Sequence, residues 1–224
     1  MNGLIHSSLY FGMLVSVGAY MLGVWLKKKT GWAILNPLLV AIIVVIAFLS
    51  VFHIEYKEYN RGAVYLGYFL TPATVCLAIP LYKQLELLRQ HLIAVASAIV
   101  AGVAGSVGSI YVMCRFFQLE HTHYVTLLPK SITTAIGMGV SEEAGGIVTL
   151  TVISIIITGI LGNIIADWLF QIFKIEEPIA KGLALGTAAH AIGTAKALEL
   201  GEIEGAMSSL SIAVAGLLTV VVVH

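Results

Sequence analysis

A small set of polar side chains stands inside stretches otherwise apolar enough for a lipid bilayer. The stretch 182–200 carries Thr187, His190, Gly193, Thr194 and Lys196 among alanines and leucines. The stretch 125–140 carries Lys130, Ser131, Thr133 and Thr134, too many polar groups for a plain span. A third carries Thr71, Pro72 and Thr74, and Asn36 precedes Pro37 at the head of another. An ammonium at membrane depth costs about 2.5–3.5 kcal/mol on insertion scales, so Lys130 and Lys196 each call for a partner or a wet cavity. A small carboxylate substrate is one such partner; Glu142, Glu143 and Glu199 are others, and Lys196 can also snorkel to the interface. Threonine hydroxyls add donors for an anion, although each can equally bond a carbonyl of its own preceding turn. All these positions form the candidate substrate-binding set.

His190 lies three residues after Thr187 and four before Thr194, so an unbroken helix would put all three on one face. It reads either as a proton carrier or as a neutral ring fixing helix packing. Glu142 and Glu143 read as ligands of a coupling cation, or as caps and solvated loop residues; Asp167 reads as structural. His6, His121 and His123 lack metal-ligand spacing, and neither a nucleophile–base pair nor a phosphate loop is present. No enzyme activity, catalytic residue, metal or cofactor is expected.

These residues need elements to hold them. Hydrophobic residues make up 59% of the 224-residue chain and charged ones 11%, too little charge to coat a soluble domain. The expected fold is an all-α polytopic membrane protein, one domain over 1–224 with about seven or eight membrane segments. Spans are expected near 4–26 (retained, not a cleaved leader), 32–51, 62–83, 91–117, 147–173, 182–200 and 206–223. A polar loop is expected over 55–61, and Gly102, Gly105 and Gly108 suit tight helix packing. Lys+Arg and Asp+Glu balance at 12 each, so no nucleic-acid partner is implied. Cys76 and Cys114 fall in apolar runs and read as free thiols.

Two features recur. Thr71-Pro72-Ala73 resembles Thr187-Ala188-Ala189, and each precedes a Lys-x-Leu-Glu-Leu run, at 83–87 and 196–200. The pattern suggests two repeats, about 32–117 and 124–223, each with one discontinuous helix. If 125–140 is re-entrant, Lys27–Lys29, Lys83, Arg89, Lys174 and Lys181 all fall on one side, as the positive-inside rule prefers. The repeats then run in opposite directions. Half-helix N-termini meeting near mid-membrane would attract an anion.

Several motifs carry a family resemblance: Leu127–Thr134, Ser141–Gly146, Leu70–Val75 with Pro80–Lys83, and the stretch 182–199. Together they resemble the LrgB/CidB family, over nearly the whole chain from Asn36 onward. That family includes bacterial proteins described as antiholin-like effectors of murein hydrolases, and the membrane half of the plastid glycolate/glycerate translocator. The chain departs from the usual pattern at Ala135, Ala189, Ala191 and Lys196, the last replacing an arginine whose fork fits a carboxylate bidentately. The resemblance implies a multi-pass protein of the bacterial plasma membrane, a homodimer, and a small LrgA/CidA-like membrane partner. Two functions follow as expectations. One is secondary transport of small monocarboxylates such as glycolate, glycerate or pyruvate; the alternative is an antiholin-like regulator of murein hydrolase export, or a holin-type pore.

Overall fold

Apolar runs punctuated by proline, glycine and charge become helices, with no strand among the described residues, which are 10–32 and 34–223 of a computed structural model. Two compact units form, one up to Cys76 and one from Leu77 onward; their division falls inside the expected first repeat.

The first unit holds α1 (Phe11–Thr30), α2 (Pro37–Val51), α3 (Tyr56–Gly67) and α4 (Leu70–Cys76). Helix α1 ends where Gly31 turns left-handed at φ 71° and its N–H reaches the Lys27 carbonyl. Lys27–Lys29 in that last turn complement the negative end of the helix dipole. Asn36 caps α2: its side-chain oxygen accepts from the N–H groups of Leu38 and Leu39 at 2.9 and 3.3 Å, and Pro37 supplies the donor-free first position. The expected loop over 55–61 is instead the opening of α3. The helix is drawn in by packing on α1, where Gly12 leaves room for the Tyr59 backbone and Ser16 Oγ bonds the Tyr59 hydroxyl at 2.6 Å. The beginning of the expected first span lies outside the described residues.

The second unit opens with two short helices, α5 (Ala78–Lys83) and α6 (Leu85–Gln90), then the long α7 (Leu92–Phe116). The segment expected to be re-entrant forms α8 (His121–Leu127), a 3-10 turn (Leu128–Ser131) and α9 (Thr134–Glu143). Helices α10 (Val148–Ile172), α11 (Pro178–Leu200) and α12 (Glu202–Val223) complete it. Its apolar core joins Val95, Ile99 and Val103 of α7 to Leu183 of α11 and Met207 and Ala215 of α12. Gly182 and Gly186 let α11 press against the backbone of α12, the close approach that association of membrane helices relies on.

The short helices of this segment are tied down by hydroxyls as well as by buried Val125, Leu128, Ile132 and Val140. Thr151 Oγ1 donates to the Thr126 carbonyl at 2.9 Å and meets Ser141 Oγ at 2.7 Å, while Thr126 Oγ1 accepts from the Ile147 N–H at 2.8 Å. These bonds link α8, α9 and α10 with all three side chains buried. Thr126 therefore serves the start of α10, and Gly145 at φ 78° makes the turn into it. Glu142 and Glu143 are exposed.

Four helical stretches among the described residues are long and apolar enough to cross a bilayer: Tyr56–Lys83, Leu92–Phe116, Val148–Ile172 and Glu202–Val223. The apolar Pro37–Val51 is shorter. The molecule is an all-helical polytopic membrane protein.

Candidate functional site

Helix α11 is two half-helices. At His190 the backbone leaves helical geometry, at φ 42° and ψ −137°. A break deep in an apolar protein strands carbonyls and N–H groups, which must then find partners inside the protein. Helix α10 supplies one such partner, Asn163, and holds the His190 ring. The His190 ring, buried at 3% exposure, donates from Nε2 to the Ile155 carbonyl at 2.9 Å. A Cβ on Gly159 would stand 2.7–2.8 Å from that ring, so only glycine admits it. Asn163 Nδ2 donates to the Ile192 carbonyl at 3.2 Å. Beyond the break, Lys196 Nζ pairs with Asp167 at 2.6 Å, so both halves of α11 are bound to one flank of α10.

The first half, before His190, forms one wall of an open groove of about 470 Å³. The facing wall is α7, and the 3-10 turn closes one end with Lys130 and Ser131. Small residues keep the space clear: Gly105 on α7, Ala184 and Ala188 on α11. Gly102 lets α7 approach Thr187, since a Cβ there would lie 2.9 Å from Thr187 Oγ1. Lys130 Nζ donates to Ser131 Oγ at 3.0 Å, and Ser106 Oγ donates to the same oxygen at 3.0 Å. Among the described residues no carboxylate pairs with Lys130. The result is a positive charge among hydroxyls, in a cleft whose size suits a small ligand.

The groove gathers part of the expected set. Lys130, Ser131 and Thr187 line it. His190 and Thr194 do not; the break turns Thr194 away to bond Ser208 at 2.7 Å, so the single face expected of Thr187, His190 and Thr194 does not form. Gly193 packs against the Leu185 carbonyl within the break. Both threonine hydroxyls bond their own preceding turn, Thr187 to the Leu183 carbonyl at 2.7 Å and Thr194 to that of His190 at 3.1 Å. Thr133 and Thr134 start α9 without lining the groove. In the first unit, Asn36 is a helix cap, Thr71 and Pro72 are exposed in the first turn of α4, and the side chain of Thr74 lies outside the described residues. The described residues contain no grouping of three or more metal-ligating side chains.

Sequence reasoning passed over Ser106 and Ser109. Its signal was present: Gly102, Gly105, Ser106 and Ser109 recur at three- and four-residue spacing, so they share one face of α7. That face is a cavity wall more than a packing face. Gly102 alone is pressed by a neighbour, while a Cβ on Gly105 or Gly108 would meet no atom within 4 Å.

A family model described as the LrgB-like family matches residues 16–224. Among curated relatives, the antiholin-like protein LrgB of Bacillus mycoides (strain KBAB4) is 40% identical over 96% of this chain and 94% of its own length. The protein of the same name in Bacillus subtilis (strain 168) is 39% identical over 96% and 93%. No solved structure matches the chain.

Proposed function

The chain belongs to the LrgB-like family, and on that premise we propose that it works as an antiholin-like protein of the bacterial plasma membrane. In this reading it is a non-enzymatic component that restrains a pore-forming partner and, through it, the export of murein hydrolases. The observation that carries the reading is the 40% identity to proteins of that name along nearly the full length of both chains. Such a role needs association between helices inside a bilayer, and α10 offers a suitable flank in exposed Ile153, Ile157, Leu161 and Trp168. The test is dye release from liposomes holding a small helical pore-forming membrane protein. Adding this chain slows release; an unchanged rate at equal and excess ratios contradicts the reading.

A second reading is favoured by one specific observation, the groove in which Lys130 stands among hydroxyls without an acidic partner. A membrane protein that keeps such a charge has a use for it, and passage of small monocarboxylates such as glycolate, glycerate or pyruvate is a fitting one. The chain would then be the moving part of a transporter, working as a dimer. Proteoliposomes bearing the protein take up labelled pyruvate or glycolate if this is so. Absence of uptake for every small carboxylate tested removes it.

A further inference from the structure

The two hydrogen bonds converging on Ser131 have a consequence for what the groove can hold. A serine hydroxyl has two lone pairs and one proton. Lys130 Nζ and Ser106 Oγ, each 3.0 Å away, occupy both lone pairs. Ser131 can then act only as a donor, and among the described residues no acceptor is in place for its proton. The side chain is 6% exposed and lines the groove, so the open direction for that proton is the groove itself. Lys130 has three N–H donors, of which one goes to Ser131. The end of the groove formed by these two residues therefore presents a positive charge and several donors, with no free acceptor on either side chain.

Ser106 decides this polarity. Without its donation, one lone pair of Ser131 is released, and the hydroxyl can rotate to bond a carbonyl of its own turn, the alternative open to any serine. Ser109 shows that habit on the same helix, its Oγ donating to the Ser106 carbonyl at 2.8 Å. Ser106 instead reaches across from α7 to the 3-10 turn.

We propose that Lys130 and Ser131 form a donor clamp for one compact monovalent anion, and that Ser106 is the positioning residue that holds Ser131 in its donating orientation. The clamp deepens the transport reading and rests on it for its purpose. Charge comes from Lys130, direction from Ser131, and selection against neutral isosteres from the lack of a free acceptor on either. A neutral amide of the same shape forgoes the charge of Lys130, and its N–H groups meet no free acceptor on either clamp side chain; leaving a polar group unpaired in a site discriminates more strongly than shape alone.

The experiment is equilibrium titration of the purified full-length protein in detergent with acetate and, separately, with acetamide. The unsubstituted protein binds acetate and not acetamide. Ser106→Ala weakens acetate binding about tenfold, the scale of one hydrogen bond to a charged group, while Ser106→Thr, which keeps the hydroxyl, restores it. Ser131→Ala does the same damage without rescue, and Lys130→Met abolishes binding. Thermal unfolding of each variant separates a lost clamp from a lost fold; if Lys130→Met does not fold, Ser106→Ala and Ser106→Thr carry the test alone. Equal affinity for acetate and acetamide, or acetate affinity untouched by Ser106→Ala in a folded protein, overturns the proposal. Binding that follows this pattern in a protein that moves no carboxylate across liposomes upholds the clamp and removes the transport reading, so the two fail separately.

Discussion

The two interrupted helices resemble each other in sequence and differ in chemistry. At Tyr68–Phe69 the helical path from α3 to α4 is disturbed because Pro72 has no N–H to give the Tyr68 carbonyl. Tyr68 itself stays in the right-handed helical region, at φ −65° and ψ −22°, and is exposed. At His190 the backbone departs from the helix altogether, in a conformation that suits glycine, and a buried ring, an asparagine and a glycine on α10 are arranged around it. One interruption is a missing donor; the other is a built joint. The lesson is that a recurring Thr-and-small-residue pattern locates where a membrane helix yields, and not how.

Substitutions at five positions would break or sharpen that contrast. The largest effect belongs to Gly159→Val, which drives a side chain into the His190 ring. We expect a loss of about 2–3 kcal/mol, the scale of overpacking a filled interior, read by denaturant unfolding in detergent. Next comes a reversal at position 190. Alanine there keeps the strained backbone and glycine relieves it, so His190→Gly is the more stable of the two by about 1–2 kcal/mol. At Tyr68 the ordinary helical order holds, alanine above glycine by roughly 0.5–1 kcal/mol. Equal order at both sites would mean that the two breaks are alike. Lys196→Met costs about 0.5–1 kcal/mol, because its partner Asp167 is half exposed and such pairs are weak. Smallest in energy is Pro72→Ala, which restores a donor to the Tyr68 carbonyl; amide hydrogen exchange across 70–76 slows, with no change around His190.

Much of the architecture was legible in the chain because lipid imposes a strict rule on backbone polar groups. Long apolar runs had to be helices, and α7, α10 and α12 begin and end within a few residues of where composition places them. Asn36 was not legible as a cap: the sequence groups it with the substrate-binding residues of a span from 32, whereas it heads a helix that begins at Pro37. Nor was the opening of α3, since its charged residues look like a loop until Gly12 and Ser16 of α1 are seen to receive Tyr59. The candidate groove was half legible. Lys130 and Ser131 announce themselves as polar groups in an apolar stretch, whereas Ser106 matters only through a partner 25 residues away. Lys130 and Lys196 look alike in the sequence; only tertiary packing reveals that one has an aspartate and the other a groove.

That difference between the two lysines is the centre of the account, and liposome flux tests it most directly. Labelled pyruvate or glycolate is offered to proteoliposomes holding the unsubstituted protein, Lys130→Met or Lys196→Met, with folding of each checked by thermal unfolding. On the transport reading, uptake is saturable, is lost with Lys130→Met and is largely kept with Lys196→Met. Uptake that survives Lys130→Met and vanishes with Lys196→Met would contradict it.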